Sequence, residues 1–267
     1  MLARLIFVLM LIIALPAHAN EKMKFGGTGS GLELVRQLGN LYAKKHKNLD
    51  IQIVPSLGSA GGIKALQAGA LDLAITGRPV KPEEKGVESI HLCRTPVAFA
   101  VHPANTVSTI RTNDLIQFYG NVSQIWPDGG RIRVLLRPDA EIDTKLLRSI
   151  SPAVDQSVSQ AKVRPGMLMA VTDQDNLKLL QTTPGAFGMT TLAMVTAEQA
   201  KVRLLTFNDV EPTLQNLIME RYPLVRDYYL VARTPVREPA KNIINFVRSA
   251  KAIALMKALN CVPVEQH

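Results

Sequence analysis

Two short apolar runs near the start of the chain each end in a cluster of glycine and hydroxyl residues, and each cluster opens a helical pattern. Met23 to Phe25 runs into Gly26-Gly27-Thr28-Gly29-Ser30-Gly31, and Ile51 to Pro55 runs into Ser56-Leu57-Gly58-Ser59-Ala60-Gly61-Gly62. After the first cluster, Leu34, Val35, Leu38, Leu41 and Tyr42 recur at helical spacing, opposed by Arg36, Lys44 and Lys45, which predicts an amphipathic helix to about His46. After the second come a helical stretch from Ile63 to Ala68 and a third strand at Leu71 to Ile75. Strand, glycine-rich turn and helix, twice over, argue for a parallel sheet, because parallel neighbours need a crossover and a helix is the usual one.

The pattern recurs downstream. Val97 to Val101 reads as a strand, broken by His102-Pro103-Ala104-Asn105, where a linker is placed near residue 103, and a helix follows from Asn113 to Tyr119. Ile132 to Leu136 reads as a strand ending at Arg137-Pro138-Asp139, Glu141 to Ile150 as a helix, and Ala186 to Met189 as a strand after the turn Thr183-Pro184-Gly185. This is a second α/β unit. Tyr228 to Val231 reads as a further strand, and Ile243, Ile244, Val247, Ile253, Leu255, Met256 and Leu259 give the last helical periodicity.

The N-terminus has a different character. Arg4 precedes an apolar run from Leu5 to Leu15 that ends at Pro16-Ala17-His18-Ala19, the layout of a secretory signal peptide over residues 1–19. The run is too short for a typical membrane span, which needs roughly twenty residues. No cysteine stands at the junction to accept a lipid, so a soluble periplasmic protein beginning at Asn20 is expected. An uncleaved anchor is the alternative. Cys93 and Cys261 carry no C-x-x-C or histidine at ligand spacing, which argues against a zinc site, and the sequence leaves open whether they pair.

The 267 residues are 47% hydrophobic and 5% aromatic and carry a formal charge of +9, lowered by one if the segment holding Arg4 is removed. A basic chain suggests nucleic acid first. Here the Lys and Arg are scattered and aromatic stacking platforms are few, so no nucleic-acid partner is expected and concentration of small anions is the better meaning. The turns suit that role. A helix start presents unpaired N–H groups that attract anions, with Thr28, Ser30 and Ser59 adding hydroxyls and Gly29 and Gly61 allowing close approach, although ordinary helix capping uses the same residues. Arg78, after the third strand, and Arg137, after the strand of the second unit, stand at carboxyl ends of strands, where open α/β sheets bind ligands; each could instead form a surface salt bridge. No phosphate-loop, dinucleotide-binding or nucleophile-elbow motif is present, His91 and His102 read as surface or packing residues, and Asp173 and Asp175 read as solvated helix starts.

Phe25-Gly-Gly-Thr-Gly-Ser-Gly, Ser56-Leu-Gly-Ser-Ala-Gly-Gly-Ile-Lys-Ala-Leu, Asp72-Leu-Ala-Ile-Thr-Gly-Arg-Pro and Thr183-Pro-Gly-Ala-Phe-Gly resemble the phosphate-binding proteins of bacterial phosphate ABC transporters, in order along nearly the whole chain after residue 19. The resemblance implies the two-lobed type II periplasmic binding protein fold, an α/β architecture whose lobes are each a mainly parallel sheet flanked by helices. The lobes are expected at residues 20–101 with 224–267 and at residues 102–223, hinged near Val97 and Tyr228. It implies a monomer, without cofactor, metal or enzymatic activity, that captures a phosphate-like oxyanion and delivers it to an inner-membrane ABC permease; an anion-sensing or adaptor module beside a membrane receptor is the alternative. By position, Thr28, Gly29, Ser30, Ser59 and Gly61 would bind from one lobe and Arg137 and Thr144 from the other.

Two departures stand out. After Arg137 the family's small donors give way to Pro138-Asp139-Ala140-Glu141-Ile142-Asp143-Thr144, and Gly77-Arg78 stands where some members place a proton-accepting Asp. Asp143 either faces the cleft, with Arg78 to neutralise it, or serves as a solvent-facing first-turn acid. The leader reading gives the first test: N-terminal sequencing of the exported protein should start at Asn20, and recovery of the full-length chain from membranes would overturn it.

Overall fold

The computed structural model describes residues 21–121 and 124–264, so the leader expected at residues 1–19 lies outside the described chain. The first elements are β1 (Glu21–Gly27), α1 (Gly29–Ala43), β2 (Leu49–Ile53), α2 (Gly58–Gln67) and β3 (Leu73–Thr76). β1 pairs in parallel with both β2 and β3, and both connections run through helices. α1 starts at Gly29, earlier than the apolar spacing marks, because its first turn is buried through Gly29, Ser30 and Gly31 rather than through large apolar side chains.

The long strand β4 (Val87–Val101) follows, then β5 (Thr109–Ile110), α3 (Thr112–Gly120), β6 (Arg133–Leu136), α4 (Ile142–Ser149), α5 (Pro152–Lys162), β7 (Leu168–Met169), α6 (Asp173–Thr182), β8 (Ala186–Thr191), α7 (Leu192–Ala197), β9 (Arg203–Leu204), β10 (Thr206–Phe207) and α8 (Leu214–Ile218). The chain returns through β11 (Val225–Arg233) and closes with α9 (Ala240–Phe246), α10 (Ala250–Ala258) and β12 (Val262–Pro263).

The two largest apolar cores among the described residues lie one in each half of the molecule. Met23, Phe25, Leu34, Leu38, Leu73 and Ile75 pack with Ile243, Ile244 and Met256 from the C-terminal helices. Phe99, Val101, Leu115, Val134, Leu136, Val158 and Phe187 form the other core. The fold is two-lobed, and β4 serves both halves: Cys93 packs in the first core and Val97 in the second. Its first half pairs antiparallel with β11 and its second half with β8. β6 is parallel to β7 and β8, repeating the parallel pairing of the first lobe. The polar half of β4, from Val87 to His91, is only partly covered, which is why the apolar run marks the strand from Val97 alone.

The question left open by the sequence is settled by a disulfide joining Cys93 to Cys261, both fully buried, with 5.6 Å between Cα atoms. It pins the end of α10 to β4. A bridge across 168 residues strongly limits the unfolded chain. Replacing both cysteines by alanine should lower stability in a denaturant titration by about 2–5 kcal/mol.

Candidate functional site

The carboxyl ends of β1 and β6 and the amino end of β11 converge where the lobes meet. β1 delivers Thr28, the N-cap of α1, with Ser30 in the first turn; β6 delivers Arg137; β11, running between the lobes, delivers Arg226. Opposite α1 stand the first residues of α4 and α6. Asp173, at the start of α6, reaches across: its Oδ2 accepts a 2.8 Å bond from the Ser30 N–H and a longer one, 3.4 Å, from Thr28 Oγ1. Its Oδ1 accepts from Arg137 Nη1 at 2.9 Å. The other Arg137 Nη approaches Glu141 at 3.3 Å, and Arg226 is ion-paired with Asp143. Gln174 adds a second bridge, donating from Nε2 to the Gly29 carbonyl at 2.9 Å.

These charges lie away from water. Arg226 is 1% exposed, Asp143 4%, Asp173 5% and Arg137 7%. Burial opposes ionisation of Asp173, but Arg137 and Arg226, with the hydrogen bonds from Arg137 and Ser30, outweigh it and hold its carboxyl below the ordinary 3.8. Glu141 goes the other way: burial, reinforced by Asp173 and Asp143, outweighs Arg137 and raises its carboxyl above the ordinary 4.5. Tyr228 supports the turn from behind, donating to the Ser30 carbonyl at 2.9 Å and sharing a 3.2 Å bond with Thr191, and burial pushes its hydroxyl up to about 12.

Two glycines make the approach possible. A Cβ on Gly29 would stand 2.4 Å from Gln174 Oε1 and 2.9 Å from Asp173 Oδ2, and one on Gly77 would stand 2.5 Å from Ile142 Cδ1 and 2.8 Å from Arg226 Nη1. A side chain at either position would require Gln174 and Asp173, or Ile142 and Arg226, to shift from these contacts.

Of the residues singled out from sequence, Thr28, Gly29, Ser30, Arg137 and Asp143 gather in this cluster. Thr144 lies beside it, its hydroxyl donating to the Arg137 carbonyl at 3.3 Å and fixing the end of β6. Ser59 Oγ accepts from the Gly77 N–H at 2.9 Å and ties α2 to the end of β3, while Gly61 sits half-buried against Leu57. Arg78 is not brought to Asp143. It forks Glu84 at 2.8 and 2.6 Å in the loop after β3, and the role of neutralising Asp143 falls to Arg226.

Two further readings are corrected. Asp143 is no solvent-facing helix charge, because α4 turns its first-turn acid inward onto Arg226. Asp173 is no solvated helix start either. Thr172 and Asp175 complete the capping box of α6 between themselves, leaving Asp173 to point at the other lobe. Arg226 escaped sequence reading, although it shares the buried face of β11 with Tyr228 and Leu230, and a charged residue on that alternating apolar face was a usable signal. Among the described residues no group of His, Cys, Asp and Glu could hold a metal ion, and no helix is long and apolar enough to cross a membrane.

The buried pairs predict a mutational asymmetry. Arg226→Met leaves Asp143 buried without its partner and should destabilise the fold by about 3–5 kcal/mol, whereas Arg226→Met with Asp143→Leu should recover most of the loss in urea titrations. The carboxyls predict opposite pH slopes. The contribution of Asp173 is present above pH 3.8 and fades as pH falls through its lowered value, while that of Glu141 is present below pH 4.5 and fades as pH rises through its raised value. Glu141→Gln should therefore flatten the fall in stability on the neutral side, read from thermal midpoints between pH 4 and 8, and leave the acid limb in place.

Comparison with known proteins agrees with this architecture. Residues 15–251 match the family model of the PBP superfamily domain. Protein SphX of Synechococcus elongatus is 24% identical over 248 residues, covering 83% of this chain and 70% of that protein. A Clostridium perfringens protein assigned as a phosphate ABC transporter substrate-binding protein, solved with bound phosphate, superposes with a TM-score of 0.76 at 18% identity, over 92% of this chain and all of its own. An ABC-type phosphate transport receptor from Vibrio cholerae gives a TM-score of 0.61 at 20% identity, over 91% of this chain and 99% of its own. With a family model covering most of its length and the two-lobed fold in place, the chain belongs to the periplasmic binding protein superfamily.

Proposed function

We propose that this protein is a periplasmic solute-binding protein that captures an oxyanion, phosphate, between its lobes and hands it to an inner-membrane ABC permease. The observation that carries the reading is the cradle itself. The N-terminal turn of α1 and the Arg137 guanidinium converge on a single oxyanionic group, now the carboxylate of Asp173, with a backbone N–H, a hydroxyl and a charged donor. A tetrahedral anion uses the same donor types, and two structurally similar proteins are described as phosphate-transport components.

In this reading residues 20–101 with 224–267 close against residues 102–223, with β4 and β11 bending between them. The protein acts as a monomer exported by residues 1–19, and capture involves no covalent step. Thr28, Gly29 and Ser30 meet the anion from one lobe and Arg137 from the other. Ser59 holds the neighbouring turn, and Thr144 keeps Arg137 in place.

A second reading has a specific observation behind it. Glu141, Asp143 and Asp173 bring three carboxylates to two arginines, an unusual surrounding for a dianion and one suited to a sensor or adaptor that signals by lobe position to a membrane receptor.

Titration calorimetry of the exported protein with phosphate and sulfate separates the readings. Saturable phosphate heat that Arg137→Ala weakens roughly 10- to 100-fold supports capture, since a hydrogen bond to a charged group contributes about 1.5–3 kcal/mol. Ser59→Ala should cost only about fivefold, near 1 kcal/mol. No heat from either ion at millimolar concentration would favour an adaptor that binds no anion.

A further inference from the structure

We propose that Asp173 is a built-in ligand: its carboxylate occupies the oxyanion cradle and latches the lobes closed with no solute bound, so that a soluble anion enters by displacing it. The residues of the latch come from opposite lobes. Asp173 and Arg137 belong to the unit built on β6 and β8, while Thr28 and Ser30 belong to the unit built on β1. Asp173 spends both carboxylate oxygens on the cradle, one on the Ser30 N–H with Thr28 Oγ1 and the other on Arg137. Nothing in α6 itself requires this, because Thr172 and Asp175 already cap the helix.

Gln174, the next residue, clamps the same turn through the Gly29 carbonyl, so the start of α6 is anchored on α1 by side chains of two successive residues. The contact is dry. Asp173 is 5% exposed, Thr28 2% and Ser30 3%. Ser30 Oγ and Arg137 Nε are buried in the same place with no hydrogen-bond partner among the described residues, donors that a carboxylate does not engage and that a tetrahedral anion, with more oxygens, could.

A tethered carboxylate competes at high effective concentration. If the latched form holds nine-tenths of the molecules, the apparent dissociation constant for a soluble anion is about tenfold above its intrinsic value. The cluster's charge points the same way: with Asp173 present, three carboxylates face Arg137 and Arg226, and removing it leaves two against two.

The latch is independent of which solute is carried, but the affinity arm of its test rests on the phosphate reading. Small-angle scattering of the exported wild-type chain, Asp173→Ala and Asp173→Asn, with and without inorganic phosphate, is therefore paired with phosphate calorimetry. Circular dichroism identifies folded variants. Asp173→Asn keeps the shape and one acceptor, should alanine prove unfolded beside the buried Arg137.

The expected result is a ligand-free wild type already compact, a larger radius of gyration in both variants, and phosphate binding at least tenfold tighter in Asp173→Ala. Variants that open while no form binds phosphate would uphold the latch and remove the phosphate reading. Phosphate binding with ligand-free variants that scatter like wild type would overturn the latch and leave that reading intact. A wild type that is open without ligand and closes with phosphate would also overturn it.

Discussion

Everything at the lobe junction depends on keeping four buried charges paired. Moving an ion from water into a protein costs several kcal/mol even after relaxation, and the attraction of a partner offsets this only with good geometry and further hydrogen bonds. Arg137 with Asp173 and Arg226 with Asp143 meet that condition through contacts between distant segments: α6 to β6, α4 to β11. Arg226 with Asp143 joins β11 to α4, and Asp173, paired with Arg137 inside its own lobe, reaches the Ser30 N–H of the other. The small residues Gly29 and Gly77 let the helices approach closely enough for the charges to meet.

The polypeptide path explains how such a junction is positioned. β4 serves both cores and β11 lies beside it, so β1 and β3 on one side and β6 and β8 on the other flank this pair. Tyr228 on β11 holds the Ser30 carbonyl and meets Thr191 at the end of β8, linking the two lobes through one hydroxyl. The disulfide between Cys93 and Cys261 secures β4 on the side away from the second core, where the C-terminal helices pack. The frame is thus fixed on one side, while the cradle is assembled from ionic contacts.

Local features of the site were legible because they are written in consecutive residues. The two glycine and hydroxyl turns, the helices that follow them and Arg137 at a strand end each rest on neighbours a few positions away, where periodicity and capping chemistry operate. The pairings were not legible. Asp143 finds Arg226 83 positions away, and Asp173 finds Ser30 143 positions away. Arg78 was read toward the cleft because a strand end places it there, yet Glu84, six positions on, offers a bidentate partner within the same loop.

The sequence by itself determined an α/β chain with parallel strands crossed by helices, a glycine and hydroxyl turn at the start of α1 and an arginine at the end of β6, because these follow from backbone donors, apolar spacing and residue chemistry within short windows. Tertiary structure alone decided that Asp173 meets the first turn of α1 and Arg137, which arginine neutralises Asp143 and that the two cysteines join. Those outcomes depend on which distant side chains share a space without water, and the cost of burying a charge unpaired selects among partners that the sequence leaves equivalent.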